Sequence, residues 1–139
     1  MIGTLTCAKL YPDAKLPSVA SPVCVDVYAY LKSERGHDIK ILVPPGMARI
    51  IPTGITAIPE DPYSIVLCPH VMLAMNGVHV LNTLTSTNPR ELVVLLHNAG
   101  TEPQWIEHGN AIAQAILVQL PTPLILESSH GRDDLQMRR

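Results

Sequence analysis

The stretch Glu107–Leu120, EHGNAIAQAILVQL, decides the fold. It opens with a turn at Gly109-Asn110 and continues as a long apolar run that alternates at Ile112, Gln114, Ile116, Val118 and Leu120. A two-residue period of this kind predicts an extended strand, although so many alanines also suit a helix. Either element has to end at Pro121-Thr122-Pro123, because proline fixes φ and has no N–H to donate.

The composition favours one small all-β domain. The chain has 139 residues, with 13 prolines and 8 glycines that predict frequent turns. Apolar residues make up 47% and charged residues only 16%. A domain of this size leaves much of its surface in water, so this apolar content predicts burial between subunits of an oligomer.

Charge and cysteine usage exclude several classes of protein. The net charge is −2 and the ten Lys and Arg are scattered, which argues against nucleic-acid binding. Cys7, Cys24 and Cys68 share no CxxC spacing, so we expect buried free thiols in an intracellular, reducing compartment. We identify no signal peptide, and no apolar run approaches the 18 residues of a membrane span.

Alternating segments separated by turn residues predict about eight to ten short strands, which form a sandwich or barrel. The predicted strands before the opening stretch are 2–10, 24–31, 39–43, 63–68, 78–84, 91–97 and 104–107. Residues 16–22 are too rich in proline for regular pairing, and Asn76-Gly77 predicts a hairpin turn because both residue types tolerate positive φ. We expect a β domain over residues 1–126 and a polar, flexible tail over 127–139.

A series of short motifs follows in order along the chain. The most informative are VCVDVYA at Val23–Ala29, PHVMLA at Pro69–Ala74 and ELVVLLHN at Glu91–Asn98, followed by Gly109–Leu117; shorter ones lie at 14–17, 43–46, 51–55 and 58–60. In this order they resemble the motifs of the trimeric dUTPase family. The resemblance implies a jelly-roll-like β fold, or β-barrel, assembled as a homotrimer.

The same resemblance implies a chemistry, hydrolysis of dUTP to dUMP and pyrophosphate. The reaction needs a carboxylate base, donors for the triphosphate, and a divalent metal, usually Mg²⁺. Asp26 stands where the family anchors the metal through water, and Gln114 stands at a phosphate-contacting position. His70, Val71 and Met72 occupy the second motif, where the family has Arg-Ser-Gly.

Other expected groups are missing from the sequence. No aspartate occurs between Asp61 and Asp133, so the catalytic Asp of the third motif is absent; Ser86 and Arg90 fall at that motif instead. Glu91 is the nearest carboxylate and is interpreted as structural. The chain contains no Phe, so the aromatic lid of the fifth motif is absent as well. Each such loss typically lowers a rate by about 10²–10⁴.

These losses lead to the hypothesis of a catalytically inactive dUTPase-like trimer that acts by protein–protein interaction. It would resemble the adenoviral early-region relatives, a viral adaptor in an infected host cell that needs no cofactor. Its partner site would lie at the rim formed by His70, Val71 and Met72 or at Trp105, which also suits core or subunit packing. Two alternatives remain open: an active dUTP diphosphatase that uses Mg²⁺, Asp26, Glu91 and a histidine, and a purely structural β trimer.

Overall fold

The computed structural model describes residues 2–84 and 90–129, and it is almost entirely β-structure. The opening stretch forms a strand and not a helix, and it begins after a turn in which Gly109 has a φ of 81°. The elements are β1 (Leu5–Lys9), β2 (Ser18–Ser21), β3 (Cys24–Tyr28), β4 (Lys40–Val43), β5 (Ala48–Pro59), β6 (Tyr63–Pro69), α1 (Val71–Met75), β7 (Val78–Val80), β8 (Glu91–Asn98), β9 (Gln104–Glu107) and β10 (Ala111–Gln119).

Two four-stranded antiparallel sheets and a two-stranded one make up the described fold. Their orders are β1-β5-β8-β7, β2-β3-β10-β6 and β4-β9. Consecutive strands are therefore often in different sheets, as in a jelly roll. The predicted fold class is confirmed.

The core lies between the inner faces of the two larger sheets. Strand β8 shows how alternate side chains face this core: Leu92, Val94 and Leu96 are buried, while the residues between them are only half-buried. Each fully buried side chain of this kind contributes roughly 1.5–3 kcal/mol relative to an exposed one. Strand β10 contributes Ile112 and Ala113, both with no exposed surface.

Asn98 is the buried polar residue at the end of β8. Its Nδ2 donates to the carbonyls of Val43 at 3.0 Å and Glu102 at 2.7 Å, and its Oδ1 accepts from the N–H of Gly100 at 2.9 Å. The side chain has no exposed surface, so these bonds replace water completely. One amide thereby ties β4 and the turn after β8 to the end of the strand.

The prediction that residues 16–22 lack regular pairing is wrong. Ser18–Ser21 forms β2 and pairs with β3, with a register shift between Val19 and Ser21. Pro17 and Pro22 flank the paired segment and do not interrupt it. Since an edge strand needs N–H groups on one side only, prolines beside it do not prevent pairing.

The prediction of a hairpin at Asn76-Gly77 is also wrong. Asn76 is the C-cap of α1 with a φ of −94°, and only Gly77 has a positive φ, of 83°. The Asn76 side chain donates through Nδ2 to the carbonyl of Met72 at 3.0 Å. A type I′ hairpin needs positive φ at both central residues, so this dipeptide ends a helix instead.

Three further expectations concern single residues and the tail. The three cysteines are free as predicted, but each is half-buried rather than fully buried. Trp105 lies in β9 with 53% of its surface exposed and with Nζ of Lys40 4.5 Å from its ring centroid, so it is not a core residue of the chain.

The division into a domain over 1–126 and a tail over 127–139 stays a prediction, and residues 130–139 lie outside the described ones. In the described part of the chain, no helix has the length and apolarity needed to cross a bilayer.

Candidate functional site

A row of polar side chains crosses the sheet that contains β10. The registers pair Ser18 with Asp26, Asp26 with Gln114, and Gln114 with Cys68, so one line runs across β2, β3, β10 and β6. Residues that pair directly across antiparallel strands point to the same face of the sheet. The neighbouring Ala115 is buried on the opposite face, which places the row on the outer one.

Asp26 is the centre of this row. Its Oδ1 accepts a hydrogen bond from Nε2 of Gln114 at 3.2 Å. The same oxygen lies 3.9 Å from Nε2 of His70, and the Asp26 and His70 side chains are each 21% exposed. The two residues predicted for the metal and phosphate positions, Asp26 and Gln114, are therefore in contact, and the histidine of the second motif faces them.

His70 is held at the junction of β6 and α1. It is the N-cap of the helix, and its Nδ1 accepts from the backbone N–H of Met72 at 3.3 Å. Its own N–H donates to the carbonyl of Ile112 in β10 at 3.3 Å. Helix N-caps are side chains that accept from the first free N–H groups, and the imidazole has this role here.

The other second-motif residues contribute differently. Val71 and Met72 have 56% and 61% of their surface exposed, on the side of α1 that faces solvent. Their apolar side chains offer no hydrogen-bond donor, and only the Met72 backbone takes part in the contact with His70. Nucleotide contact by His70, Val71 and Met72 stays a prediction.

Lys15 and Tyr28 were not singled out from the sequence. The ammonium of Lys15 lies 3.8 Å from the ring centroid of Tyr28, and the Tyr28 hydroxyl hydrogen-bonds Oγ of Ser18. Tyr28 is two residues after Asp26 in β3, so it is on the same face of the sheet. The spacing of two residues from Asp26 could therefore have identified Tyr28 from the sequence. Lys15 lies in a loop, where hydrophobic periodicity gives no information about the direction of a side chain.

The residues of the third motif are less informative. Ser86 lies outside the described residues, and Arg90 is exposed just before β8. Glu91 accepts from the backbone N–H of Gly54 through Oε2 at 2.8 Å, which agrees with its interpretation as a structural residue. A carboxylate that holds a strand in this way is not free to serve as a base at the Asp26 row.

No group of three or more His, Cys, Asp or Glu that could hold a metal ion occurs among residues 2–84 and 90–129. A cavity of about 540 Å³ lies near the N-terminus, against Ile2, Val19, Val23 and Leu117, and its lining contains no charged side chain. A triphosphate needs cations or N–H donors, so this cavity does not suit one. The Asp26 row is the better candidate for nucleotide chemistry.

A second polar cluster joins the loop after β1 to the loop after β3. Tyr30 stacks on Tyr11 with ring centroids 4.6 Å apart, and its hydroxyl donates to Oδ1 of Asp13 at 2.7 Å. This bond raises the pKa of Tyr30 to about 12 and, as the largest contribution, lowers the pKa of Asp13. Lys32 forms an ion pair with Asp13 at 3.8 Å and also binds Asp38. These contacts give the cluster a structural role, which is to hold the two loops together.

No family model matches the chain. Among the curated relatives, the deoxyuridine 5'-triphosphate nucleotidohydrolase of Caldanaerobacter subterraneus is 32% identical over 133 residues, which cover 91% of this chain and 86% of the relative. The chain belongs to the dUTPase family. The enzyme of the same name from Brucella melitensis is 36% identical over 102 residues, covering 70% of this chain and 64% of the relative.

Solved structures agree with the dUTPase fold. The dUTPase of phage phi11 of S. aureus has a TM-score of 0.75 at 13% identity, covering 91% of this chain and 96% of that one. A mutant of the phi11 enzyme coordinates a structural Mg(II) ion. The dUTPase of EIAV has a TM-score of 0.69 at 14% identity and covers 91% and 98% of the two chains. A mutant dUTPase of Staphylococcus bacteriophage 80alpha with bound dUpNHpp has a TM-score of 0.75 at 14% identity, with coverages of 91% and 88%.

The hypothesis of an inactive dUTPase relative that acts as a protein-binding adaptor is wrong. The overturning finding is that relatives matching nearly the whole chain are named nucleotidohydrolases of dUTP. The interpretation treats the changed second motif as a loss of donors, but Nε2 of His70 lies 3.9 Å from Oδ1 of Asp26. Comparing motifs letter by letter did not take this geometry into account. Nor do the relatives support the expectation that no cofactor is used.

Proposed function

We propose that this member of the dUTPase family hydrolyses dUTP to dUMP and pyrophosphate. The observation that carries the proposal is the contact between Asp26 and Gln114 at 3.2 Å on the outer face of the sheet, with His70 facing the same carboxylate oxygen. This arrangement combines a carboxylate, which hydrolysis requires, with a hydrogen-bond donor, Gln114, that fixes its orientation. The relatives that carry the name of this activity support the assignment.

Mg²⁺ is the proposed cofactor, and the residues at the site fit it. This ion prefers oxygen ligands, keeps several waters, and is commonly held by one or two carboxylates together with the substrate's phosphates. Asp26 would hold the ion through one of the ion's waters, which leaves its carboxylate free to accept a proton, and the described residues contain no group that would form an all-protein cage. When bound, the ion would neutralise charge on the phosphate oxygens, as Mg²⁺ does in phosphoryl chemistry.

Among the described residues at the row, we assign the proton of the attacking water to Asp26. Glu91 is engaged by the backbone of Gly54, and Nδ1 of His70 is engaged by the backbone of Met72. The Gln114 amide has no basic group. A water molecule that loses its proton to Asp26 attacks the α-phosphorus and forms the new P–O bond of dUMP. The bond from the α-phosphorus to the bridging oxygen breaks, and pyrophosphate leaves with that oxygen.

Lys15 is the cation that we assign to the triphosphate. Its ammonium lies over the Tyr28 ring on the same side of the sheet as Asp26, and its side chain is exposed. An ammonium is a compact donor that binds phosphate as a point charge. Tyr28 holds the ammonium in place through a cation–π contact.

Pyrophosphate release from dUTP with Mg²⁺ tests the activity. Wild-type protein should release pyrophosphate well above background, and Asp26→Ala should lower the rate by about 10²–10⁴. Asp38→Asn is a matched control, because it removes an exposed carboxylate that lies away from the row and pairs with Lys32. Wild-type protein without activity above background, or an Asp26→Ala variant with full activity, would contradict the proposal.

A homotrimer is the assembly that we propose for this function. Large apolar residues are exposed in the single chain, among them Ile50 at 63%, Ile125 at 88% and Leu126 at 81%. Exposed apolar surface of this extent favours burial against other copies. Light scattering should therefore give three times the chain mass of 15.1 kDa. A monomer at micromolar concentration would contradict it.

A further inference from the structure

His70 is fixed by backbone groups on two sides. Its N–H donates to Ile112 of β10, and its carbonyl accepts from the N–H groups of Leu73 and Ala74 at 3.0 Å each. The ring is fixed as well, because Nδ1 accepts from the N–H of Met72. The imidazole is thus mounted on the first turn of α1, with little freedom to rotate.

The bond to Met72 also determines which ring nitrogen carries the proton. A neutral imidazole has one donor nitrogen and one acceptor nitrogen, so an accepting Nδ1 leaves the N–H on Nε2. This N–H faces Oδ1 of Asp26 across 3.9 Å, while Gln114 donates to the same oxygen at 3.2 Å. The separation of 3.9 Å exceeds hydrogen-bond distance, so in the free protein the Nε2–H group attracts the carboxylate electrostatically across this gap.

We propose that His70 is a positioning residue, which orients the Asp26 carboxylate from its place as the N-cap residue of α1. The inference rests on the proposed function of Asp26 as the carboxylate that acts on water. The two ring nitrogens have separate roles. Nδ1 caps the helix, whereas Nε2–H acts together with Gln114 on Oδ1 of Asp26. These two groups keep Oδ1 turned inward, so that Oδ2 faces the nucleotide. Partners of this kind typically change metal affinity or activity by about 10- to 100-fold when removed.

Two substitutions separate these tasks. His70→Asn places a side-chain oxygen where Nδ1 lies, so the cap on Met72 is kept, but nothing reaches Asp26. His70→Gln places an amide nitrogen near the position of Nε2, so a donor to Asp26 is kept and the cap is lost. His70→Ala removes both. Asparagine is a strong N-cap and glutamine is not, so the Gln and Ala variants should melt about 2–6 °C lower than the Asn variant.

Kinetics and NMR then test the positioning. We expect kcat for pyrophosphate release to fall about 10- to 100-fold in the Asn and Ala variants, with a smaller change in KM, and to stay within about threefold of wild type in the Gln variant. The second readout needs neither metal nor nucleotide. The side-chain amide signal of Gln114, assigned by its absence in Gln114→Met, should move toward that of a free amide in the Asn and Ala variants and stay in place in the Gln variant.

The outcomes are distinguishable from those of the proposed function. If His70→Asn keeps both the wild-type kcat and the Gln114 signal, His70 is a helix cap alone and the inference is wrong. If wild-type protein releases no pyrophosphate, the proposed function fails, but the Gln114 signal still shows whether His70 orients Asp26. A Gln variant that loses the signal as fully as the Ala variant would also overturn the inference.

Discussion

The buried amide of Asn98 allows a quantitative prediction about stability. Replacing it by alanine removes three side-chain hydrogen bonds, two donated to the carbonyls of Val43 and Glu102 and one accepted from the N–H of Gly100. Each such bond contributes a net of about 0.5–1.5 kcal/mol, so the direct loss is about 1.5–4.5 kcal/mol. Because the site has no exposed surface, the two carbonyls and the N–H group left without a partner add a desolvation cost unless water enters. We expect a total loss of about 3–5 kcal/mol, a large share of the 5–15 kcal/mol typical of a domain.

Urea unfolding followed by the fluorescence of Trp105, the single tryptophan, measures this loss. Protein concentration has to be equal for all variants, because the stability of an oligomer depends on it. Asn98→Asp is a stricter test, since it keeps the shape and the acceptor for Gly100 but turns a carboxylate oxygen toward two carbonyls, and it should destabilise more than alanine. Asn76→Ala is the control: it removes one bond from an exposed side chain and should cost within about 0.5 kcal/mol. If Asn98→Ala costs no more than Asn76→Ala, the bridging role of the amide is refuted.

Two further predictions concern backbone conformation and titration. Gly54 and Gly46 have φ values of 70° and 77°, but a Cβ on Gly54 would lie 2.9 Å from Cγ of Tyr30 whereas one on Gly46 would meet nothing within 4 Å. Gly54→Ala should therefore lower the free energy of unfolding by about 1–3 kcal/mol more than Gly46→Ala, and equal losses in urea unfolding would argue against the crowding. The hydrogen bond to Asp13 raises the pKa of Tyr30 to about 12, so in an ultraviolet titration Asp13→Asn should return that pKa toward the ordinary value of about 10. Because the folded-state pKa of Tyr30 is raised, the stability linked to this bond is fully present below pH 10 and is lost as the pH rises through the folded value; a Tyr30 that titrates identically in both proteins would contradict the contact.

Most of the fold could be predicted from the sequence, because periodicity is a local property. The alternation of Glu91–Asn98 and of Ala111–Gln119 identified β8 and β10, and the order of the motifs identified the jelly roll. The wrong predictions of local structure concern residue types that occur in more than one kind of local structure. Prolines beside β2 were interpreted as preventing pairing, and Asn76-Gly77 was interpreted as a hairpin when it ends a helix.

The site could be predicted only in part. Asp26 and Gln114 were found because each stands within a motif, and their contact follows from the register of β3 with β10. Lys15 was missed because a loop and a contact with an aromatic ring place it there. The inactive interpretation was wrong because relatives that match nearly the whole chain are named nucleotidohydrolases of dUTP. A count of missing motif residues does not detect the position of His70 beside Asp26, because that position depends on a helix cap that no motif records.

The central position of β10 has a consequence for hydrogen exchange. Asp26, Gln114 and Cys68 lie on three adjacent strands, and β10 is paired on both sides. Amides in such a ladder exchange with solvent only when a large part of the sheet opens, so their protection approaches the global stability. A ligand that binds only the folded protein should slow this exchange in proportion to its affinity. This half of the candidate site is therefore expected to adapt little to a ligand, and any adjustment on binding has to come from elements outside the sheet, such as α1.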